Sequence, residues 1–377
     1  MLHDFDSIPS PAFILEEEKL IKNLELLSYV MQKADCSIIL ALKGYALWKS
    51  FPRIRTYLQG ATASSLNEVR LCNEYMGSKA HTYAPAYAPH QIKEIAEQSS
   101  HISFNSLTQY ELYKKICSSH NVQMALRVNP GYSDIATEIY NPCSPDSRLG
   151  IPAKELHKIP DGITGLHFHA LCESNSYSLE KVLQSFEKKF GHLLSQISWI
   201  NMGGGHLITH KDYNVEHLIS LLKSFKLKHN VDIILEPGGA VVWQTGVLKA
   251  QVLDIVSYGS VATAILDVSF AAHMPDTLEM PYRPTITGAE QEYKEGLFAY
   301  RLGGQTCLAG DFLDPYYFSS ELHPGDTIIF EDMMHYTMVK TTMFNGVHHP
   351  SIYILHTNGT KECVRDFTYL DYKNRMG

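Results

Sequence analysis

The sequence predicts an α/β chain in two parts, a parallel (β/α)8 TIM barrel and a second, mainly antiparallel β domain. Three observations carry that expectation. Eight short β-prone runs alternate with helix-patterned segments between residues 37 and 239, the text beyond about residue 241 is β-rich without that alternation, and 377 residues exceed one ordinary core.

Taken in order, the chain opens on a strand-like PAFIL at 11–15, which can join the later sheet because chain ends are often tied down by pairing. A helix at 16–34 leads into the first barrel run. The eight runs are SIILALK (37–43), GATASS (60–65), KAHTYAP (79–85), HISFNS (101–106), QMALRVNP (123–130), GLHFHA (165–170), WINMGGG (199–205) and IILEPGG (233–239). Between them apolar residues keep helical spacing, clearest over 214–229, where Val215, Leu218, Ile219, Leu222 and Phe225 share a face. Eight units in series fit a closed barrel. An open doubly wound sheet has fewer units and a glycine fingerprint after its first strand, where this chain reads ALKGY. Beyond residue 241 come VVWQTGVLKAQVLDIVSYG, GDTIIFEDMMHYTMV and SIYILHT, with turn signals HPGD and FNG. The expected boundaries are therefore a barrel over 16–240 and a β domain of 1–15 plus 241–377.

Composition narrows the partners. A net charge of -8, a pI near 6.2 and the lack of any Lys/Arg-rich run speak against nucleic acid. The opening MLHDFDSIPSP lacks the basic start and apolar run of a signal peptide, and no stretch approaches the ~18 apolar residues of a membrane span, so a cytoplasmic protein is expected. Seven scattered cysteines without a CxxC pair suggest buried thiols rather than a disulfide frame or zinc knuckle.

Active sites of such barrels lie at the C-terminal ends of the strands. Lys43 closes the first run; Ser64 and Glu68 follow the second, and Asn105 ends the fourth. Arg127 and Asn129 lie on the fifth, His167 and His169 on the sixth, Gly203 to Gly205 after the seventh, and Glu236 after the eighth. An amine, a carboxylate, an imidazole and a glycine-rich loop on one ring of positions suit a phosphate-bearing aldehyde cofactor. Lys43 follows the apolar SIILAL, where an ammonium is costly unless its pKa falls, it is used covalently, or it reaches solvent. NMGGGH lets backbone N–H groups close on a phosphate, or is a tight turn. Glu236 can hold a pyridine nitrogen protonated, or is a solvated surface charge. His167 and His169 point to the same face, which allows a metal as in barrel hydrolases or an imidazole stacked on a flat ring. Their place on the sixth run, with Glu-Pro-Gly ending the eighth, favours stacking, and no metal is expected.

The motifs ALKG, GATASSLNE, RVNPG, SRLG, GLHFHA, NMGGGH, EPGG, GGQTCLAGD and HYTM occur in the order found in the fold-type III pyridoxal-phosphate decarboxylases, and the chain resembles them over essentially its whole length. LHFHALCES, EPGGA and TCLAGDFLD look most like the branch acting on carboxynorspermidine and carboxyspermidine. The resemblance implies an alanine-racemase-like architecture with pyridoxal 5'-phosphate as cofactor. Lys43 would carry it covalently, His169 stack on its ring and Glu236 pair with the pyridine nitrogen; Gly203, Gly204, Gly205 and Tyr336 would bind its phosphate, and Gly238 would also contact the cofactor. Cys307 would reach the site of a partner subunit in a homodimer and return a proton after carbon dioxide leaves. Where many relatives read EPGR this chain has Gly239, so an arginine expected at the phosphate is missing. On the substrate side the candidates are Glu173, Gly239, His273, Asp276 and Asp311. Decarboxylases of short diamines place an Asp directly after the Cys; here Leu308, Ala309 and Gly310 intervene before Asp311, a shift that would deepen the pocket for a longer cationic tail. Other readings are another fold-type III enzyme such as diaminopimelate decarboxylase, a non-catalytic pyridoxal-phosphate protein, and a metal-dependent hydrolase using His167 and His169.

Overall fold

The computed structural model describes residues 5–135 and 137–377. The chain divides into two compact units, Lys22–Val241 and the pair of segments Met1–Ile21 and Val242–Gly377.

In the first unit, parallel strands run around a ring in the order Ser37–Ile38, Asp232–Leu235, Trp199–Asn201, Ile163–His167, Gln123–Arg127, Ser99–Phe104, Ala80–Tyr83, Ala61–Ala63 and Leu40–Ala41. Ser37–Ile38 and Leu40–Ala41 are two halves of one broken strand. The first half pairs with Asp232–Leu235 and the second with Ala61–Ala63, so a single segment closes the ring. The fold is the eight-stranded barrel the periodicity predicts.

The helices between strands start where short polar side chains stand. Ser65, Ser106, Asn175 and Asn214 each accept a hydrogen bond from a backbone N–H of the first turn, satisfying donors that have no intrahelical partner. Helix Val215–His229 buries Leu218, Ile219, Leu222 and Phe225, the face its spacing marks. Inside the ring Ile39, Ala125, Trp199 and Ile234 form a core cluster. Beside it His81 and His101 stack with ring centroids 3.9 Å apart, and Trp199 meets His101 edge-on at 4.8 Å.

The barrel strands end sooner than the sequence runs indicate. The sixth stops at His167 and the seventh at Asn201, because the glycines beyond Asn201 leave extended geometry, with φ of +72° at Gly203 and +85° at Gly205. The residues past the strand ends are thereby free to face the barrel mouth.

The second unit is one mixed sheet ordered Ala289–Glu290, Phe312–Phe318, Phe298–Gly303, Ala262–Leu266, Gly246–Val256, Ala12–Glu16, Ser351–Leu355 and Lys361–Arg365, with Thr327–Glu331 also pairing Gly246–Val256. Ala12–Glu16 runs parallel to Ser351–Leu355, and Ala262–Leu266 parallel to Phe298–Gly303; the other pairs are antiparallel. Phe13, Leu248, Val252, Leu266, Tyr316 and Phe330 belong to its core. Among the described residues no helix is long and apolar enough to cross a membrane, and no group of three His, Cys, Asp or Glu is placed to hold a metal ion.

Candidate active site

At the mouth of the barrel the strand ends bring together Lys43, Arg127, His167, His169, Asn201, Gly203, Gly204 and Glu236. Lys43 lies in the turn after the first strand, with its Nζ 3.5 Å from Nε2 of His169. The Lys43 side chain keeps contact with solvent yet is crowded by protein atoms. That crowding and the nearby Arg127 guanidinium push its pKa below the usual lysine value, against the opposing pull of Glu236.

The second nitrogen of His169 fixes its tautomer. Gly204 N–H donates to Nδ1 at 2.8 Å, so a neutral His169 carries its proton on Nε2, facing Lys43. Burial first, then Lys43 and Arg127, hold the imidazole well below its ordinary pKa, so it is neutral at pH 7. An Nε2–H directed at Nζ requires the lysine to accept, and an ammonium cannot. The contact therefore favours an accepting amine over an ammonium, in the same direction as the lowered Lys43 pKa.

Glu236 is buried, and burial pushes its pKa up, while hydrogen bonds from Asn201 and Thr62 and the charges of Lys43 and Arg127 work to keep it ionised. Asn201 Nδ2 donates to Glu236 Oε1 at 2.6 Å, and His167 Nε2 stands 3.9 Å from Oε2. Both ring nitrogens of His167 are buried without a hydrogen-bond partner among the described residues. Arg127 packs on the face of Tyr83, its guanidinium 4.4 Å from the ring centroid, and the Tyr83 hydroxyl donates to Asn105 at 2.8 Å.

The glycine loop is packed as tightly as it is bent. A Cβ at Gly203 would lie 2.5 Å from the Phe168 carbonyl oxygen, and one at Gly204 2.3 Å from that of Glu236. One at Gly205 would come within 2.0 Å of the Leu171 oxygen. Gly238 packs on Ala41 and Gly44, and Gly239 opens the short helix Gly239–Val242.

The other predicted residues stand apart from this ring or in the second unit. Glu173 is exposed just past the sixth strand, with an unusual φ of +47°. In the second unit Cys307 is exposed, its N–H donating to Asn345 Oδ1 at 2.8 Å, and Tyr336 has φ of +52°. His273 is fully buried, its Nδ1 accepting from Ser269 N–H at 3.1 Å, and Asp276 pairs with Lys340. Asp311 is buried and its carboxylate accepts from Ser269 Oγ (2.9 Å), Ala271 N (3.0 Å), Thr306 N (3.1 Å) and Thr306 Oγ1 (2.6 Å). Three of the four internal donors to Asp311 fall on Oδ2 and one on Oδ1, and His273 is buried with its Nε2 unpartnered among the described residues. Asn201, Thr62 and Tyr83 are not singled out by the sequence reading. Asn201 was findable, because it lies beside His167 in the ladder and two residues before the glycines.

A family model described as pyridoxal-dependent decarboxylase, C-terminal sheet domain, matches residues 28–334. The chain belongs to the pyridoxal-dependent decarboxylases. This decarboxylase is 50% identical over 373 residues to the carboxyaminopropylagmatine decarboxylase of Synechocystis sp., covering 98% of this chain and 96% of that one. It is 45% identical over 382 residues to the carboxynorspermidine/carboxyspermidine decarboxylase of Campylobacter jejuni, covering 98% and 99%. The crystal structure of the Campylobacter jejuni carboxynorspermidine decarboxylase complexed with norspermidine superposes with a TM-score of 0.91 at 44% identity, covering 98% of this chain and all of that one. The diaminopimelate decarboxylase of Helicobacter pylori, at 16% identity and a TM-score of 0.86, shares the fold.

The residues at the mouth fit the family's cofactor. A neutral lysine amine suits an aldehyde, and an imidazole held by a glycine amide suits a flat ring. A buried carboxylate, otherwise costly, suits a protonated pyridine nitrogen. The family's cofactor, pyridoxal 5'-phosphate, is the cofactor of this decarboxylase.

Proposed function

We propose that this decarboxylase releases carbon dioxide from the α-carbon of a carboxylated polyamine, with carboxynorspermidine and carboxyspermidine as the substrates. The observation that carries the reading is the Lys43–His169 and Asn201–Glu236 arrangement at the barrel mouth, in a chain 45% identical along nearly its whole length to an enzyme of that name. Carboxyaminopropylagmatine is the second reading, favoured by the 50% identity to the Synechocystis enzyme. The three substrates share a carboxylated polyamine chain and differ in the tail.

When bound, pyridoxal 5'-phosphate supplies an aldehyde for the substrate amine and a ring able to take up the electrons that carbon dioxide leaves behind. Lys43 would hold it through its neutral amine. His169 would lie against the ring, oriented by Gly204, and Glu236 would keep the pyridine nitrogen protonated. Gly203, Gly204, Gly205 and Tyr336 would close on the phosphate, Gly238 would also contact the cofactor, and Gly239 leaves the phosphate end without the arginine of many relatives. Cys307, exposed in one protomer, would reach the site of its partner in a homodimer and deliver the proton from Sγ to the α-carbon. Glu173 would meet the cationic tail, a use that gives its strained backbone a reason. Seven cysteines that form no disulfide among the described residues support a reducing compartment, the cytoplasm.

Carbon dioxide release by the purified holoenzyme should be measured from carboxynorspermidine, carboxyspermidine, carboxyaminopropylagmatine, diaminopimelate, ornithine and arginine. One or more of the first three should exceed the others in kcat/KM by about 100-fold or more, since a site built for a polar tail loses heavily when it is left unpaired. Equal efficiency on diaminopimelate would remove the polyamine assignment and leave family membership untouched.

A further inference from the structure

Asn201 closes a ring of hydrogen bonds at the centre of the site. Its Nδ2 donates to Glu236 Oε1 at 2.6 Å, its Oδ1 accepts from Gly203 N–H at 2.8 Å, and Gly203 C=O accepts from Glu236 N–H at 2.8 Å. The side chain is buried. The amide has one orientation, because a flip would set oxygen against carboxylate and NH2 against N–H. The end of the seventh strand, the glycine loop and the residue after the eighth strand are thus locked to one another.

We propose that Asn201 is a positioning residue, which clamps one oxygen of Glu236 and the first glycine of the loop in fixed register so that Oε2 remains for the pyridine nitrogen. The proposal rests on the assignment of Glu236 to that nitrogen. Only an amide of this length performs both tasks. An ionised aspartate accepts from Gly203 but cannot donate to Glu236, and a serine falls short of the carboxylate.

Asn201→Asp provides the test. It sets two carboxylates about as close as the present 2.6 Å contact, faced by Lys43 from the first strand, Arg127 from the fifth and His167 from the sixth. The pair shares a proton at low pH, when the introduced carboxyl group donates its O–H to Glu236 and the clamp is restored, and loses it at high pH. The variant's kcat should approach wild type at the acid end of the range and fall below it by about tenfold or more at the alkaline end, with KM changed far less. Equilibrium dialysis of pyridoxal 5'-phosphate against the apoenzyme should show weakening over the same pH range. A wild-type to variant ratio constant with pH would overturn the clamp, since a merely structural lesion adds no ionisation. Asn201→Ser should lose about tenfold in kcat at every pH, and a wild-type kcat there would overturn it as well. Glu236→Gln separates the two ideas. Unchanged turnover in that variant removes the pyridine assignment and the clamp with it, whereas slow Glu236→Gln beside a flat Asn201→Asp ratio removes the clamp alone.

Discussion

Between Lys43 and His169 the position of one proton decides whether the lysine can act. The Gly204 N–H on Nδ1 sends the imidazole proton to Nε2, which favours a neutral amine over an ammonium in the lysine 3.5 Å away. Crowding and Arg127 are the two causes that lower its pKa. Removing the cation in Arg127→Met should raise the Lys43 pKa toward its ordinary value, so less neutral amine is present at a given pH. Incorporation of pyridoxal 5'-phosphate into the Arg127→Met apoenzyme should therefore move to higher pH, while Lys43→Ala should give no borohydride-sensitive absorbance band at any pH. Stopped-flow absorbance from about pH 6 to 9 would check both; an unshifted Arg127→Met profile would remove Arg127 as a cause.

At the scale of elements, the loop bearing Cys307 is held by one buried carboxylate. Asp311 draws donors from Ser269, Ala271 and Thr306, tying this loop to the short helix Phe270–His273. Asp311→Ala strands those donors and should destabilise the protein by about 3 kcal/mol or more, read from urea unfolding of the holoenzyme. Spacing after Cys307 marks Asp311 but does not register its internal donors, because sequence distance says nothing of direction, and its Ser269 partner is 42 residues away. The same limit hides the Lys340 partner of Asp276 and the burial of His273. The barrel was legible, since eight alternating runs leave little choice of topology, and so was the helix face of Leu218, Ile219, Leu222 and Phe225. Strand ends were misjudged where glycines with positive φ follow Asn201, a geometry that apolar periodicity does not register. Asn201 was within reach two residues before the glycines, but its role stayed hidden because that role requires three chain segments to meet.

For the molecule as a whole, the buried imidazoles set the response to acid. Burial holds His101, His206 and His273 down to about 4 and pushes His81, His167 and His169 well below their ordinary value. His101, His206 and His273 stay neutral in the folded protein near pH 5, while the same histidines in the unfolded chain, with a pKa near 6.5, take a proton, and the other three shift in the same direction. The unfolded state then binds more protons, so stability is complete above about pH 6.5 and is lost as pH falls through the window between 6.5 and about 4. For His206 and His273, both buried and held to about 4, the loss between pH 7 and 5 amounts to about 2 kcal/mol each. Urea denaturation at pH 7 and pH 5 should show the difference, and His273→Gln should reduce it by about one site's share. A free energy of unfolding that is level between those pH values would mean that these imidazoles take up protons inside the fold.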